Sequence, residues 1–207
     1  MKILITGFMP FNNEPINPSF EAVKRLPNMI GDIEIIKLEL PVTYNNGFNT
    51  LYNEIKDKEY DAIILVGQAG GRKAISLEKV AINYIYASIP DNDGVSLNHH
   101  NIYNDSPAAY FSTLPILRME RVLKENGINA MISYTAGTYV CNHLMYSTLN
   151  YIKNNNLKTK VGFIHVPYIK EQVENKENMP YMELDDIAKA LYICIENVME
   201  EDDNLWN

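Results

Sequence analysis

Residues 130–153 read AMISYTAGTYVCNHLMYSTLNYIK. The first six, 130–135, have strand character, Ala136-Gly137-Thr138 makes a turn, and a helical pattern follows over 138–153. Cys141, Leu144, Met145, Thr148 and Ile152 recur at spacings of three and four, the apolar stripe of a helix lying on a sheet. A strand that passes through a Gly turn into a helix is a βα unit, and the same alternation runs through the rest of the chain. Strands are predicted at 2–6, 33–40, 61–66, 80–86, 130–135 and 160–166, rich in Ile and Val and bounded by Gly, Pro, Asn or Asp. Helices are predicted near 18–26, 47–58, 112–126, 138–153 and 183–199, with Glu125-Asn126-Gly127 as the stop signal of the third. This alternation predicts a single α/β domain over 1–207, an open sandwich whose mostly parallel, twisted central sheet is flanked by helices. The acidic tail from about Glu200 is expected to be a frayed surface end. The longest irregular segment, 87–111, carries Pro90-Asp91-Asn92-Asp93-Gly94 and His99-His100, and is expected to act as a lid or an oligomer contact.

Composition narrows the function. The 207 residues are 46% apolar and 21% charged, which is ordinary for a globular chain and long enough to bury a core without disulfides or metal. Lys and Arg number 18 against 26 Asp and Glu, a net charge of −8 that repels phosphate backbones, so nucleic acid is not an expected partner. MKILITGFMPF at the amino terminus has too short an apolar run for a signal-peptide core, and no segment has the roughly 18 apolar residues of a spanning helix. A cytoplasmic protein with no membrane association is expected. In that reducing setting a disulfide between the two cysteines, Cys141 and Cys194, is not.

Ligands of open α/β sheets bind outside the carboxyl ends of the strands. After strand 2–6 comes Gly7-Phe8-Met9-Pro10-Phe11; after 61–66 comes Gly67-Gln68-Ala69-Gly70-Gly71-Arg72, followed by Glu78; after 130–135 comes the turn leading to Cys141; at the end of 160–166 sits His165. If these strands are parallel, a thiol, an imidazole, a carboxylate and an aromatic slot gather on one sheet edge, the constellation of a cysteine hydrolase. A free thiol, with a pKa of about 8.5, is mostly protonated at neutral pH and needs a base. His165 is placed to take its proton and return it to a leaving amine. Glu78 is placed to hold the imidazole in one tautomer. A helix amino terminus supplies unpaired N–H groups for a thiolate or an oxyanion.

Each of these residues has a plainer reading. Cys141 also lies on an apolar stripe, where the pattern alone favours core packing; Cys194, three residues after Leu191 on the last helix, reads as core. His165 reads also as a structural histidine and Glu78 as a surface charge. GQAGGR resembles a phosphate cradle but lacks the Gly-Lys-Ser/Thr ending, which leaves a nucleotide-binding α/β domain as a weak third reading. His143, two residues from Cys141 on a helix, points away from it. His99-His100 lacks metal-ligand spacing and reads as a polar loop pair.

The runs ITGFMPF, INPS, VGQAGGR, ISLEKVAIN, IPDN, SYTAGTYVCNH and FIHVPYI resemble the successive blocks of the pyroglutamyl peptidase I family, from Met1 to about Gln172. The resemblance implies an open α/β sandwich and a cofactor-free, metal-free cytosolic cysteine peptidase, usually a homotetramer. The activity it implies is removal of an amino-terminal pyroglutamyl residue (5-oxoproline) from peptides. By the same resemblance Cys141 is the nucleophile, His165 the base and Glu78 the orienting acid. It puts the ring pocket on Phe8 and Phe11, with Ile89, Tyr139 and Val140 as further walls, Gln68 orienting the lactam through its backbone and Asn17 as a polar support. An apolar aromatic slot suits a compact neutral lactam, whereas burying the ammonium of an ordinary amino-terminal residue there unpaired is costly.

Three departures from the family pattern stand out. Tyr139 replaces a common Phe. Asn12-Asn13 replaces the usual Gly-Gly, with residues that tolerate left-handed backbone. Tyr86-Ala87-Ser88 precedes IPDN where the family shows Asp-Ala-Arg, so a guanidinium is missing at Ser88. That loss keeps open a fold-preserving homologue with weakened or altered activity, acting as a binding protein or on another acyl substrate.

Overall fold

A computed structural model describes residues 1–202. β1 (Lys2–Phe8) is buried along nearly its whole length, as a strand covered on both faces must be, and this is why it reads as a continuous apolar run. The chain continues through α1 (Pro18–Arg25), β2 (Met29–Ile30), β3 (Ile33–Leu40), α2 (Tyr44–Ile55), β4 (Ala62–Gln68) and β5 (Ile75–Glu78). Then follow β6 (Val80–Ile82), β7 (Ile85–Tyr86), β8 (Asn98–His100), β9 (Ala109–Phe111) and α3 (Ile116–Glu125). The last elements are β10 (Ala130–Ser133), α4 (Val140–Asn154), β11 (Lys160–Val166), α5 (Lys170–Val173) and α6 (Leu184–Glu196).

Seven strands form the central sheet in the order β10-β5-β11-β4-β1-β3-β2. β11, β4, β1 and β3 run parallel; β5 is antiparallel to β11 and parallel to β10, and β2 is antiparallel to β3. Side chains alternate between two cores. Ile3, Ile5, Ile64, Val66 and Ile164 pack against α1, α3 and α6 on one face. Leu4, Phe8, Ile63, Leu65 and Phe163 pack against α2 and α4 on the other. The mostly parallel sheet flanked by helices agrees with the sequence expectation.

The predicted strand at 80–86 is a correction. The sheet strand is β5, immediately before it, and 80–86 is split: β6 pairs with β9 and β7 with β8 in two small separate sheets. Asn83 makes the break, since its side chain bonds the backbones of Ile102, Tyr103 and Ser106 in place of a continuing ladder. β5 escaped the pattern because it ends on a buried carboxylate, Glu78. The segment 87–111 accordingly holds β8 and β9 rather than being irregular throughout.

At the end of α3, Gly127 adopts φ +76° and Ile128 N–H donates back to Leu123 O, the stop expected from Asn126-Gly127. The start of α3 has no side-chain cap of its own, and Asp202 supplies one: its Oδ1 accepts from the N–H groups of Leu117 and Arg118 at 2.8 and 3.2 Å. Lys160 Nζ donates to the carbonyls of Val198, Met199 and Glu200. Residues 200–202 are therefore tied down rather than frayed, while the rest of the expected tail, 203–207, lies outside the described residues. Both cysteines are free thiols on opposite sides of the sheet, with Cys194 fully buried in the α1/α3/α6 core. Among the described residues no helix is long and apolar enough to cross a membrane.

Candidate active site

The site forms on the α2/α4 side, where β4, β11 and β5 lie side by side. His165 is in register with Gly67 of β4 and Ser76 of β5, and Glu78 with Phe163 of β11. Register partners on adjacent strands face the same way, and so do residues two apart on one strand. Gly67, Phe163, His165 and Glu78 therefore share one face. The expectation that all the features ride on parallel strands is corrected here: Phe8, Gln68 and His165 come from mutually parallel strands, while Glu78 and the loop to Cys141 come from β5 and β10, which run antiparallel to those strands. Alternation along β5 puts Glu78 on the correct face even though the strand runs the other way.

His165 Nδ1 and Glu78 Oε1 are 2.7 Å apart, with the residues 4% and 0% exposed. Arg72 Nη1 donates to the same Oε1 at 2.7 Å, and its Nη2 donates to Thr135 O at 3.2 Å. Glu78 Oε2 is buried without a hydrogen-bond partner among the described residues. Burial by itself pushes the Glu78 carboxyl up, but the hydrogen bond and charge of His165, with Ser133 and Arg72, outweigh it and hold the group below the usual carboxylate range. The Phe163 ring lies 4.6 Å from the His165 ring and 6.5 Å from that of Phe8, centroid to centroid.

Cys141 is the second residue of α4 and half-buried. Its Sγ lies 3.1 Å from the point a Cβ on Gly67 would occupy, and the Phe163 ring lies 2.7 Å from that point. Only a residue without a side chain permits both. The thiol thus sits over β4, beside the strand position of His165 on the same face. Burial pushes the Cys141 thiol up to about 12; the Glu78 charge adds to this, while Arg72 and the Cys141 N–H work against it.

The helix start is braced on both sides of Cys141. Asn142, 1% exposed, accepts from Ile82 N–H and donates to the carbonyls of Ile82 and Tyr84. Thr138 exchanges hydrogen bonds with the Tyr86 backbone, and Tyr139 OH donates to Pro90 O at 3.0 Å. His143 turns away from Cys141, as its helical spacing requires, and packs edge-on against Tyr44 at 5.6 Å.

Of the remaining sequence-predicted residues, Phe8 is buried and Phe11, Tyr139 and Val140 pack on the same core cluster. Asn17 caps α1 and joins the loop to it: Nδ2 donates to Met9 O, and Oδ1 accepts from Ser19, whose Oγ accepts from Phe8 N–H. Asn12 and Asn13 hold φ of +53° and +59°, the left-handed backbone expected where they replace glycines. The Gln68 side-chain oxygen accepts from Gln172 Nε2 at 2.8 Å. Ile89 is half-buried and Ser88 exposed on the loop held by Tyr139. His99 and His100 lie in the short strand β8 rather than in a loop, and His99 stacks on Tyr86 and meets Tyr84 OH.

Sequence reasoning missed two residues. Asp91 anchors the loop: its Oδ2 accepts from Tyr44 N–H, and its Oδ1 from the N–H groups of Asp93 and Val95. Arg72 was legible only as the end of GGR, six residues before Glu78. Among the described residues no group of three or more His, Cys, Asp and Glu side chains is arranged to hold a metal ion.

Comparison with known proteins shows the family and the fold. A family model for pyroglutamyl peptidase matches residues 1–201. Pyrrolidone-carboxylate peptidase of Brachyspira hyodysenteriae is 54% identical over 195 residues, covering 94% of this chain and 97% of that one. The crystal structure of Bacillus amyloliquefaciens pyroglutamyl peptidase I superposes with a TM-score of 0.94 at 44% identity, covering 98% of this chain and 99% of that one. A variant of pyrrolidone carboxyl peptidase from the hyperthermophile Pyrococcus furiosus gives 0.93 at 40% identity, covering 97% and 99%. With the fold, the block order and the whole-chain match in agreement, the chain belongs to the pyroglutamyl peptidase family of cysteine peptidases.

Proposed function

We propose that this protein hydrolyses the amide bond after an amino-terminal pyroglutamyl residue, with Cys141 as nucleophile, His165 as base and then acid, and Glu78 holding the imidazole. The observation that carries the reading is the buried 2.7 Å Glu78–His165 contact on the sheet face over which Cys141 Sγ sits. Because Nδ1 is engaged with Glu78, the other ring nitrogen is the one free to exchange a proton. A thiol raised to about 12 rests protonated at neutral pH, so its proton passes to His165 as Sγ attacks the substrate carbonyl. The oxyanion that forms is matched by the unpaired N–H groups of the first turn of α4. Collapse breaks the C–N bond, the imidazolium gives its proton to the departing amine, and a pyroglutamyl thioester remains. Water, deprotonated by His165, then attacks the thioester carbonyl and releases pyroglutamate and the free thiol.

Phe8, Phe11, Ile89, Tyr139 and Val140 are the inferred walls of the lactam pocket, with the Gln68 backbone as its polar contact and Asn17 as the support of the Phe8–Phe11 loop. The reading also carries a cytoplasmic homotetramer, for which exposed Phe111, Tyr134 and Met131 offer apolar surface. The test is hydrolysis of a pyroglutamyl anilide by wild type, Cys141→Ser and Cys194→Ser. Activity in wild type and Cys194→Ser but not in Cys141→Ser is expected. Turnover without Cys141, or none in the wild type, sinks the assignment.

A further inference from the structure

The Glu78–His165 pair cannot be understood from its two members alone. Glu78 is wholly buried, and its one hydrogen-bonded oxygen, Oε1, takes both the imidazole nitrogen and Arg72 Nη1, each at 2.7 Å. Oε2 has no partner among the described residues. Take Arg72 away and the buried carboxylate loses its only full cation, keeping the imidazole of His165 and the neutral hydroxyl of Ser133. A buried charge stripped of its partner is strongly destabilised, and the group responds by turning or by taking up a proton.

Arg72 is itself placed from several directions. Its side chain is 29% exposed, reaching in from the turn after β4. Nη2 donates to Thr135 O in the loop that leads to Cys141, and Nη1 also approaches Ser133 Oγ at 3.4 Å. One guanidinium therefore joins the acid of β5, the end of β10 and the loop that delivers the thiol. A lysine supplies the charge without this planar fork.

We propose that Arg72 is a positioning residue for the reaction: its guanidinium anchors the Glu78 carboxylate in the orientation that holds His165, and ties that pair to the Cys141 loop. The proposal rests on the Cys141–His165–Glu78 reading above. The charged and titratable groups converging here are Glu78 from β5, His165 from β11, Arg72 from the β4 turn and Cys141 from α4. β10 contributes the neutral Ser133, Lys79 lies over the Phe111 ring, and His143 faces Tyr44. Arg72 also opposes the upward push on the thiol.

The test compares wild type, Arg72→Gln and Arg72→Lys with a pyroglutamyl anilide across pH. Arg72→Gln is expected to lower kcat roughly 10- to 100-fold while KM stays within about twofold, since misplacement by about 1 Å carries a cost of that size. The ascending limb of kcat/KM moves to higher pH, because a thiolate that loses a nearby cation forms less readily. Arg72→Lys restores the limb more fully than kcat. Proton NMR adds a readout independent of turnover: the resonance of the His165 Nδ1 proton is resolved in wild type and lost to exchange in Arg72→Gln. An Arg72→Gln protein with unchanged kcat, pH profile and resonance overturns the proposal. An inactive wild type whose resonance still depends on Arg72 supports the positioning and sinks the reaction instead, so the two failures are distinguishable.

Discussion

Cys141 Sγ lies 3.1 Å from where a side-chain carbon on Gly67 would begin. The contact explains why the residue after Val66 is a glycine: the sheet is left bare at the one point where α4 brings down its thiol. The Phe163 ring closes on the same gap from β11, at 2.7 Å. Gly67→Ala is expected to push thiol and ring aside, lowering kcat roughly 100-fold with a stability loss of about 1–3 kcal/mol. Single-turnover kinetics and thermal unfolding check it; an alanine enzyme with wild-type kcat contradicts the packing argument.

Glu78→Gln keeps the size of the side chain and removes its charge. The amide can present its N–H₂ rather than its oxygen to His165, which allows the wrong tautomer. A fall in kcat of roughly 10²- to 10⁴-fold is expected, with KM little changed. Glu78→Asp, which keeps the charge and shortens the reach, should lie between. Equal activity of Gln and wild type would assign Glu78 to the core alone.

Phe8 and Phe11 differ in burial, and the difference separates two effects. Phe8 is 2% exposed, so Phe8→Ala is expected to cost about 3–5 kcal/mol of stability whatever it does to substrate. Phe11 is half-buried at the edge of the same cluster. Phe11→Ala should raise KM for pyroglutamyl substrates several-fold with a much smaller shift in Tm. A large loss of stability with unchanged KM would make Phe11 a packing residue and remove it from the pocket.

His143 makes the stability of the fold sensitive to acid. Burial against Tyr44 lowers its pKa from 6.5 to about 4, and its Nδ1 has no hydrogen-bond partner among the described residues. The unfolded chain therefore takes up this proton more readily than the folded one. The contribution is fully present above about pH 6.5 and is lost as pH falls toward 4, amounting to roughly 3 kcal/mol. His143→Phe should flatten the wild-type decline across that window in urea unfolding at stepped pH. Parallel curves for the two proteins would show that His143 takes up its proton as readily in the folded chain as in the unfolded one.

Much of the fold is legible in the sequence. The strands β1, β3, β4 and β11 follow from Ile and Val runs, and α6 from its apolar stripe, because burial demands a periodicity that is written locally. Glu78 and its strand were another matter. Ile75–Glu78 is four residues long and ends on a charge, and a buried carboxylate is indistinguishable from a surface one until its partners are known. Asp202 likewise reads as part of an acidic tail, although it caps α3, because the N–H groups it serves lie 85 and 84 residues away in the chain.

The sequence by itself determined the α/β class, the core packing of Cys194 and the family, since all of these rest on local patterns and block order. Only the tertiary structure decided which way β5 and β10 run, that Gly67 clears the floor for the thiol, and that Arg72 shares an oxygen of Glu78 with His165. Those relationships join residues distant along the chain through strand register and side-chain reach. Hydrogen bonds and close contacts act over a few ångströms, so they exist only once folding has brought their partners together.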